Sequence, residues 1–557
     1  MKPWHERFSD IYAQERSYWL DKGFEQDDVC RHGVAFTGTV TVRIKLDKAF
    51  EHHPFKLRVV YPPGYPYVAP KVAFLDPPIT RAGHQGTDGA PCLFPPQAWT
   101  LSFPASEIYA AIERWLGYHL AGHFPRELAI YELPEYFGWT PFSVLAPPAL
   151  FDRMQDARSG RLSVDELIGH DLGVVWSVGQ EIVGKELVDA VAPARTRKTH
   201  RHPSPWYRLD KEPQPVQNTA ELQRLLADNG HDVNLSRRPR EKELITLVFP
   251  DAALDEERLL LLDMGVASKK ARADVVKGWT VRAPQLYVVS HGDLFRRLEG
   301  VRDLAVLEQK RVVCFGLGAI GSPLALALAR EGVGSFVLCD PDTLRPGNVV
   351  RHALDLLSVG QFKTEAVESA LARINPSVQT MIESDHLSDP GVIAAKLAHA
   401  NLVLAAIGDD LTEELISEVV ISSEERPPLI LARVLHGGAA FRVALMRPGV
   451  DACLTCLAEY QAENHAEWIR VPADDRPDVF DAGCATPARP GAGLTSGQAA
   501  LFAAGRALEV LEERASETNH WLWVDQPILN ADQRLASGRT LHEACFAPRA
   551  NCVVCGV

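Results

Sequence analysis

A glycine-rich turn places the strongest constraint on how this chain can fold. Gly316, Gly318 and Gly321 have the spacing G-x-G-x-x-G, between an apolar run at 311–316 and a helical pattern at Pro323–Glu331. Such glycines let a strand turn sharply into a helix, and they let a phosphate approach the backbone at the positive end of that helix. The segment therefore predicts a buried strand, a phosphate-binding turn and a helix. The spacing alone fits NAD-dependent enzymes equally well.

Strands and helices alternate from about residue 296 onward. Helical patterns at 323–331 and 364–374 separate apolar runs that are typical of buried parallel strands, at 311–316, 335–339 and 402–406. This alternation predicts an α/β fold with a doubly wound, Rossmann-like sheet. We expect this domain to span residues 296–557.

Polar residues follow these strands in a pattern that a hydride-transfer site does not need. In chain order they are Asp340, Asp342, Asn348, Arg351, Lys363 and Asp409. Cations beside carboxylates suit a triphosphate with Mg²⁺, because the cations hold the phosphates while a carboxylate holds the metal. An NAD-dependent oxidoreductase, in which Asp340 would bind a ribose, is the alternative that the glycine turn leaves open.

The ordered set resembles the ThiF-type adenylating domain of ubiquitin-activating enzymes and of their bacterial relatives for thiamine and molybdopterin sulfur transfer. In that family the order is G-x-G-x-x-G, D-x-D, N-x-x-R, a Lys, and an Asp after a later strand. The resemblance implies that ATP binds at the turn, with Asp340 on the ribose and Asp409 on Mg²⁺. It assigns the phosphates to Asn348, Lys363 and Arg351, and we count Arg351 among the catalytic residues. Asp342 completes the nucleotide-binding set.

The chain departs from this family pattern in two places. The family's Thr-Asp-Asn at the metal position is Gly408-Asp409-Asp410 here. Many members also contribute an arginine from a preceding helix. Arg296, Arg297 and Arg302 are equal candidates for that role, which stays unassigned.

Two C-x-x-C pairs stand near the end of the chain. Cys453 and Cys456 form the first pair, and Cys552 and Cys555 form the second. Four thiolates complete a closed tetrahedral Zn²⁺ site without an open position for substrate, so the predicted metal is structural. It would tie the last residues back to the domain. The related adenylating enzymes carry the same two pairs.

An isolated cysteine, Cys484, lies between the two pairs on a turn-rich stretch ahead of a helical pattern at Thr495–Leu511. An exposed thiol near a helix start or a cation can have a lowered pKa, which makes the thiolate available as a nucleophile, and Arg489 is a nearby cation in the sequence. In the resembling enzymes a catalytic cysteine lies in this position, which implies that Cys484 accepts the activated carboxylate. Cys545 also lies between the pairs but lacks the loop context, and a purely structural Cys484 remains open.

A second isolated cysteine, Cys92, lies in an N-terminal region of different character. Strand patterns at Thr39–Leu46 and Lys56–Tyr61 precede it, and a helical pattern at Ala105–Leu120 follows it. With Tyr65-Pro66, Pro70-Lys-Val and Trp99, these features resemble the ubiquitin-conjugating fold, an α+β domain that we expect at residues 1–150. The resemblance implies that Cys92 carries a thioester.

The conjugating resemblance is incomplete beside the cysteine. The family's Asn, which stabilises the oxyanion when an amine attacks the thioester, is missing near His84. Either His84 takes over that role as a catalytic residue or it only shapes the loop. A conjugating fold without activity is the alternative for this domain.

Composition favours a soluble cytoplasmic protein. The 557 residues carry a formal net charge of −14 and ten cysteines, which argues against nucleic-acid binding and against a disulfide scaffold. The N-terminal residues lack the apolar core of a signal peptide, and the uncharged run 312–329 holds three glycines and Pro323, so we expect no membrane span. Residues 151–295 form a middle domain without an interpretable motif.

Together the two resemblances indicate a bacterial fusion of a ubiquitin-conjugating-like domain with an adenylating domain, as in cyclic-oligonucleotide (CBASS) antiphage operons. The implied enzyme uses ATP, Mg²⁺ and Zn²⁺ to activate a protein C-terminus, forms a thioester on Cys484, passes it to Cys92 and ligates it to an amine of a target protein. The activated partner would be a ubiquitin-like protein or a cyclic-oligonucleotide synthase. Family members are usually homodimers. A sulfur-carrier adenylyltransferase, an NAD oxidoreductase and a non-enzymatic scaffold are the alternatives.

Overall fold

The computed structural model describes most of the chain, in segments whose placement is defined. They are residues 2–27, 33–46, 49–79, 85, 89–94, 99, 104–121, 137, 140–191, 198–216, 218–235, 243–251, 256–265, 280–469, 471, 491–524, 529–530, 533–534 and 540–556. The chain divides into two compact units. The first unit comprises Met1–Gly184 with Lys198–Tyr287, and the second comprises Lys185–Arg197 with Val288–Val557.

Helices occur in both units. In chain order the α-helices are α1 (Trp4–Arg7), α2 (Ser9–Asp21), α3 (Ala105–Ala121), α4 (Ala149–Met154), α5 (Lys185–Val191), α6 (Thr219–Asp228), α7 (His291–Phe295), α8 (Leu304–Leu307), α9 (Gly321–Arg330), α10 (Lys363–Ile374), α11 (Pro390–Lys396), α12 (Asp410–Ser422), α13 (Leu454–Ala462) and α14 (Gly493–Leu511). Short 3₁₀ turns lie at Arg296–Leu298, Pro346–Asn348, Leu356–Ser358 and His436–Gly438.

Strands likewise occur in both units. They are β1 (Glu25–Gln26), β2 (Val34–Leu46), β3 (Ala49–Tyr61), β4 (Lys71–Asp76), β5 (Ser143–Ala146), β6 (Ser159–Leu167), β7 (Leu172–Val178), β8 (Glu181–Ile182), β9 (Thr199–Arg208), β10 (Leu244–Asp251), β11 (Glu256–Gly265), β12 (Thr280–Arg282), β13 (Gln285–Val288), β14 (Arg311–Phe315), β15 (Ser335–Cys339), β16 (Gln379–Glu383), β17 (Leu402–Ala405), β18 (Leu429–Leu435), β19 (Ala440–Met446), β20 (His520–Val524), β21 (Leu529–Asn530), β22 (Gln533–Arg534) and β23 (Thr540–Ala544).

The first unit begins with a four-stranded antiparallel sheet of order β1-β2-β3-β4. Strands β2 and β3 form a long hairpin in which Val34 lies opposite Tyr61. Helices α2 and α3 supply Trp19, Ile108 and other side chains to an apolar core against this sheet. The predicted strands and helix of the N-terminal region are therefore present, with both strands beginning earlier than the sequence pattern indicates.

A buried carboxylate links helix α2 to this hairpin. Glu15 accepts hydrogen bonds from the hydroxyls of Tyr61 (2.6 Å) and Tyr65 (3.0 Å), and Tyr61 in turn accepts one from the indole of Trp19. Burial raises the pKa of Glu15, although these hydrogen bonds oppose the rise. The tyrosines are oriented by this network, because a buried polar group needs its partners.

A second sheet in the first unit covers the middle region. Its order is β12-β11-β10-β9-β6-β7-β5-β13, with β8 paired to β7. The pairs β9–β10 and β5–β7 are parallel, and the pairs β6–β7, β6–β9, β10–β11 and β11–β12 are antiparallel. Two apolar clusters contact this sheet, one around Leu222 and Leu260 and one around Leu150 and Val248.

The second unit contains the mixed sheet that positions the candidate site. Its strand order is β16-β15-β14-β17-β18-β19-β20-β23. The five strands from β16 to β18 are parallel, whereas β19, β20 and β23 continue the sheet in antiparallel pairs. The doubly wound fold predicted from the sequence is confirmed, but the antiparallel extension was not anticipated.

Both faces of the parallel part are covered, which explains its uninterrupted apolar strands. Along β14, Val312 and Cys314 enter the cluster with helices α9, α10 and α14, while Val313 and Phe315 enter the cluster with α11 and α12. Alternate side chains point to opposite faces, so every position of this strand meets apolar partners. The uncharged run 312–329 folds as strand, turn and helix. Among the described helices, none combines the length and apolar character that crossing a bilayer requires.

Candidate active site

The glycine turn is fixed by steric limits at two of its three glycines. Gly316 has a φ of +84°, and a Cβ built there would lie 2.7 Å from the carbonyl oxygen of Ala406. A Cβ at Gly321 would lie 1.9 Å from the oxygen of Gly316. At Gly318 a Cβ would meet no atom within 4 Å. The chain itself therefore needs Gly316 and Gly321, whereas Gly318 leaves space open for something else.

That open space is a cavity at the switch point of the sheet. Strand β14 lies between β15 and β17, so the chain leaves it in opposite directions, and ligands of such sheets bind outside the carboxyl ends at this point. The cavity has a volume of about 740 Å³. Predicted residues that line it are Gly318, Asp342, Asn348, Arg351 and Lys363.

Asp340 lies beneath the turn and connects it to the next strand. Its carboxylate accepts hydrogen bonds from the backbone N–H groups of Leu317 (2.7 Å) and Asp342 (2.9 Å). The side chain is buried and is not part of the cavity lining. In this structure Asp340 holds the glycine turn in shape, and its assignment to the ribose stays a prediction.

Lys363 begins helix α10 and reaches the cavity from below. Its ammonium group lies 2.8 Å from Asp342 and 3.4 Å from Asp340, and the side chain is largely buried. Asp342 is mainly exposed and lines the cavity. Lys363 is thus a cation held in place by two carboxylates of the predicted set, and one of them, Asp342, also lines the cavity.

Asn348 and Arg351 form the neighbouring wall. The amide oxygen of Asn348 accepts the backbone N–H of Arg345 at 3.0 Å and closes the short 3₁₀ turn there. Within the described part of the chain, the Arg351 guanidinium has no hydrogen-bond or ion-pair partner. It therefore supplies a positive charge to the cavity that those residues do not neutralise.

His352 is a cavity residue that the sequence analysis did not identify. Its Nδ1 accepts the N–H of Leu354 (3.2 Å), so Nε2 carries the proton and donates to the carbonyl of Leu317 (2.7 Å). Burial lowers the pKa of His352, and the neighbouring Lys363 contributes to the shift. The ring is neutral near pH 7 and supports the glycine turn from the side of Arg351.

Asp409, the predicted Mg²⁺ ligand, is the N-cap of helix α12. One carboxylate oxygen accepts hydrogen bonds from the backbone N–H (2.9 Å) and the hydroxyl (2.5 Å) of Thr412, and these bonds lower the pKa of Asp409. Its other oxygen has no hydrogen-bond partner among the described residues. Asp409 is exposed and lies beside the lining rather than in it, while its neighbour Asp410 lines the cavity. An ionised, exposed carboxylate with a free oxygen has the chemistry of a Mg²⁺ ligand.

A buried ion pair that the sequence analysis missed lies on the same side. Glu413 is fully buried, and its Oε2 lies 2.5 Å from Nε of Arg433, which lines the cavity. Burial raises the pKa of Glu413, while for Arg433 burial alone would lower the pKa and the facing carboxylate reverses that effect. The signal was an arginine within the apolar run of β18, where a charge needs a buried partner.

The four paired cysteines converge at one point of the second unit. The sulfur atoms of Cys453, Cys456, Cys552 and Cys555 all lie within 4.8 Å of one another. Tetrahedral Zn²⁺ with Zn–S bonds of about 2.3 Å requires S···S separations of about 3.8 Å. Backbone N–H groups of Cys456 and Arg549 also point at these sulfurs, at 3.4 Å each, and favour thiolates. The donor set therefore fits Zn²⁺.

The predicted thiol relay is described only in part. Cys92 is exposed in the first unit. Cys484 and His84, like the Arg489 beside the former, lie outside the described residues. Cys545, the other cysteine between the pairs, is exposed, and its sulfur lies 3.2 Å from the carbonyl oxygen of Glu517.

None of the three candidate arginines before the sheet belongs to the described cavity lining. Arg302 pairs with Glu331 at 2.6 Å, and Arg296 pairs with Asp293 at 2.7 Å. Arg297 adds no charge to the lining. Among the described residues, the arginines that line the cavity are Arg351 and Arg433.

Comparison with known proteins finds similarities over this unit. Residues 293–542 match the model of the ThiF family. The molybdopterin-synthase adenylyltransferase of Escherichia coli (strain K12) is 33% identical over 166 residues, which cover 28% of this chain and 62% of that protein. The ATP-dependent ubiquitin transferase-like protein Cap2 of Enterobacter hormaechei subsp. hoffmannii (strain UCI 50) is 34% identical over 105 residues, or 19% of this chain and 18% of that protein.

Among solved structures, E. coli MccB aligns with 48% of this chain and 73% of its own, at a TM-score of 0.37 and 17% identity. The chain spans less than two thirds of the length of either relative named above. The match to the ThiF family model, residues 293–542, includes the glycine turn and most of the residues that line the switch-point cavity.

Proposed function

We propose that this protein activates the C-terminal carboxylate of a protein with ATP and transfers it, through two cysteines, to an amine. The observation that carries the proposal is the cavity at the switch point, where Gly318 leaves space against the backbone and Lys363 and Arg351 supply positive charge. The similarity to an adenylyltransferase and to a ubiquitin transferase-like protein supports the same reaction class.

In the first step a carboxylate oxygen of the substrate attacks the α-phosphorus of ATP. The bond from that phosphorus to the bridging oxygen breaks, and pyrophosphate leaves with the electron pair. Lys363 and Arg351 hold the triphosphate and stabilise the charge that develops on it. Asp409 would hold Mg²⁺, which neutralises phosphate charge when bound. The Asp340–Leu317 hydrogen bond keeps the turn in the shape that binds phosphate.

In the later steps the thiolate of Cys484 attacks the acyl carbon and releases AMP, which leaves a thioester. The thiolate of Cys92 then exchanges with Cys484, and an amine of the target displaces Cys92 to give an amide. Zn²⁺ on the four-cysteine cluster would keep the end of the chain attached to the sheet. A role in antiphage defence and a homodimeric state remain predictions.

A sulfur-carrier adenylyltransferase is the second candidate, favoured by the similarity to the molybdopterin-synthase adenylyltransferase. The test is ATP–pyrophosphate exchange, followed by gel analysis of thiol-sensitive adducts, with neighbouring gene products as substrates. If the protein conjugates, both Cys484→Ser and Cys92→Ser should retain ATP–pyrophosphate exchange, and neither should form the final conjugate. Cys92→Ser should also accumulate a thiol-sensitive adduct on Cys484. Cys545→Ser is the control. Thiol-sensitive adducts without any amide-linked conjugate, in the wild type and in every variant, would favour sulfur transfer. Absence of ATP–pyrophosphate exchange, or adducts that form without ATP, would overturn both candidates.

A further inference from the structure

Two arginines lie opposite each other on neighbouring strands beside the cavity. Arg433 of β18 and Arg442 of β19 are register partners in the antiparallel pair, so their side chains leave the same face of the sheet. Directly opposed like charges destabilise a strand pair unless anionic groups lie next to them. This position therefore favours the presence of carboxylates.

One carboxylate fixes the orientation of Arg433. Oε2 of Glu413 pairs with the Nε and Nη2 side of the guanidinium, and Oε1 accepts the backbone N–H groups of Ile407 (3.1 Å) and Gly408 (2.9 Å). Glu413 is fully buried and cannot move away cheaply. The guanidinium is thereby held rigidly, with Nη1 left to face another group.

The group that faces Nη1 is the carboxylate of Asp410. Asp410 lines the cavity, and its side chain is 77% exposed. Asp410 can turn into solvent with little loss of free energy because its own side chain is exposed, whereas Arg433 is mostly buried and would keep its pairing with Glu413. Replacing Asp410 with another carboxylate therefore costs little. Asp410 thus occupies a position at which an incoming anion would be recognised by a pre-oriented arginine.

Arg442 adds a positive charge that the described residues do not balance. It has no acidic partner among them, although its Nη2 donates to the carbonyl of Ile469 (2.9 Å) and its guanidinium lies 4.4 Å from the ring centre of Trp468. Burial lowers the pKa of Arg442 to about 10, and Arg433 contributes, so both remain charged near pH 7. If Asp410 turns away, two cations face one described carboxylate, Glu413.

The position of Arg433 in the sheet separates it from the nucleotide turn. Strand β18 is two strands from β14, with β17 between them. Neighbouring strands are about 4.8 Å apart, which places the two strands about 10 Å from each other. Arg433 therefore lies toward the side of the cavity away from the phosphate-binding turn, which is the side that the proposed function leaves to the second substrate.

We propose that Arg433 binds a carboxylate of the peptide substrate at the position that Asp410 occupies in this structure. The proposal rests on the proposed function, because it takes a peptide to be the second substrate. The carboxylate comes either from the C-terminus of the peptide or from an acidic side chain near it. Arg433 determines specificity in both cases, and Asp410 competes with the substrate.

The experiment measures fluorescence anisotropy of three labelled hexapeptides with the full-length protein. One is a neutral Ala/Gly/Ser peptide with a free C-terminal carboxylate, the second is its C-terminal amide, and the third is an amide with one Glu near its end. Affinity for a non-hydrolysable ATP analogue is measured in parallel. The variants are Arg433→Gln, Asp410→Asn and, as a matched control, the exposed Arg330→Gln.

We expect at least one carboxylate peptide to bind about tenfold more tightly than the neutral amide, and Arg433→Gln to remove that difference. Asp410→Asn should strengthen carboxylate binding roughly two- to fivefold, because it removes the competing carboxylate. If the Asp410–Arg433 pair only stabilised the fold, this substitution would instead weaken binding or leave it unchanged. Whichever peptide responds identifies the source of the carboxylate. Equal binding of all three peptides, or a preference that survives Arg433→Gln, would overturn the proposal. If the wild type does not bind the ATP analogue at all, that result would instead count against the proposed function.

Discussion

The carboxylate of Asp340 accepts the backbone N–H of Leu317 at 2.7 Å, which joins the end of β15 to the middle of the glycine turn. The turn is therefore held from below by a buried acid as well as shaped by its glycines. Asp340 also accepts the N–H of Asp342 and lies 3.4 Å from Lys363, so one side chain connects the turn, the next loop and the cation. We therefore expect ligand binding at the turn to depend on this connection.

The glycines of the turn should separate folding from ligand binding. Gly318→Val places its side chain in open space, so the melting temperature should stay near that of the wild type. The added methyl groups enter the cavity and should weaken ATP binding about tenfold or more. Gly321→Ala instead clashes with the oxygen of Gly316 and should cost about 2 kcal/mol or more of stability. Calorimetric scans with titration of an ATP analogue measure both effects.

Lys363 should be needed for adenylation beyond its role in the fold. Lys363→Ala removes a largely buried cation from the cavity and should lower ATP–pyrophosphate exchange by roughly 10²- to 10³-fold. The exposed Arg373→Ala at the other end of α10 is the matched control and should retain exchange. Since Lys363→Ala leaves Asp340 buried without its cation, Lys363→Arg serves as the folded comparison. Wild-type exchange in both lysine variants would contradict a phosphate role.

Asp409 is a helix N-cap and also the predicted Mg²⁺ ligand, and one substitution distinguishes these two roles. Asp409→Asn keeps a good N-cap, so the free energy of unfolding should change by only about a few tenths of a kcal/mol. Loss of the anionic oxygen should lower exchange roughly 10²-fold and raise the Mg²⁺ concentration needed for half-maximal rate. Asp389→Asn, at the N-cap of α11, is the matched control. Unchanged Mg²⁺ dependence would leave Asp409 a cap alone.

The parts of this site that could be predicted from the sequence are those whose interacting residues lie close together in the chain. The glycine turn, β14 and α9 follow from a contiguous pattern, because both faces of the strand are apolar and the turn needs its glycines. The pairing of Glu413 with Arg433 joins a helix to a strand 20 residues later in the chain, and no local sequence pattern predicts it. The antiparallel strands β19, β20 and β23 were missed for the same reason, since their partners are set by the fold.

Removing the metal from the four-cysteine cluster should loosen the second unit. Cys552→Ser, or treatment with a chelator, should reduce bound zinc from about one to near zero per chain and lower the melting temperature by several degrees, because structural zinc contributes directly to folding. Cys545→Ser changes an exposed cysteine outside the cluster and should keep both values. Elemental analysis with a thermal scan measures them. A zinc-free wild type that is equally stable would reject the structural assignment.

Glu15 should make the first unit less stable as the pH rises. Its pKa is raised by burial in the folded state, whereas the unfolded chain titrates near 4.5, so the unfolded chain releases the proton first. Stability is therefore highest below pH 4.5 as far as this group is concerned, and it falls from there until the raised pKa is passed. Glu15→Gln can still pair with Tyr61 and Tyr65, and it should flatten this slope and raise the melting temperature near pH 7.

Two further variants distinguish the charge of Glu15 from its hydrogen bonds. Glu15→Ala leaves both tyrosine hydroxyls without their acceptor and should cost about 2 kcal/mol below pH 4.5. The cost should be smaller at higher pH, where the buried charge destabilises the wild type. Asp10→Asn, an exposed acid on the same helix, should not alter the slope. Thermal scans between pH 4 and 8, followed through the unfolding transition of the first unit, measure the effect. A wild-type slope that persists in Glu15→Gln would assign the pH dependence to another group.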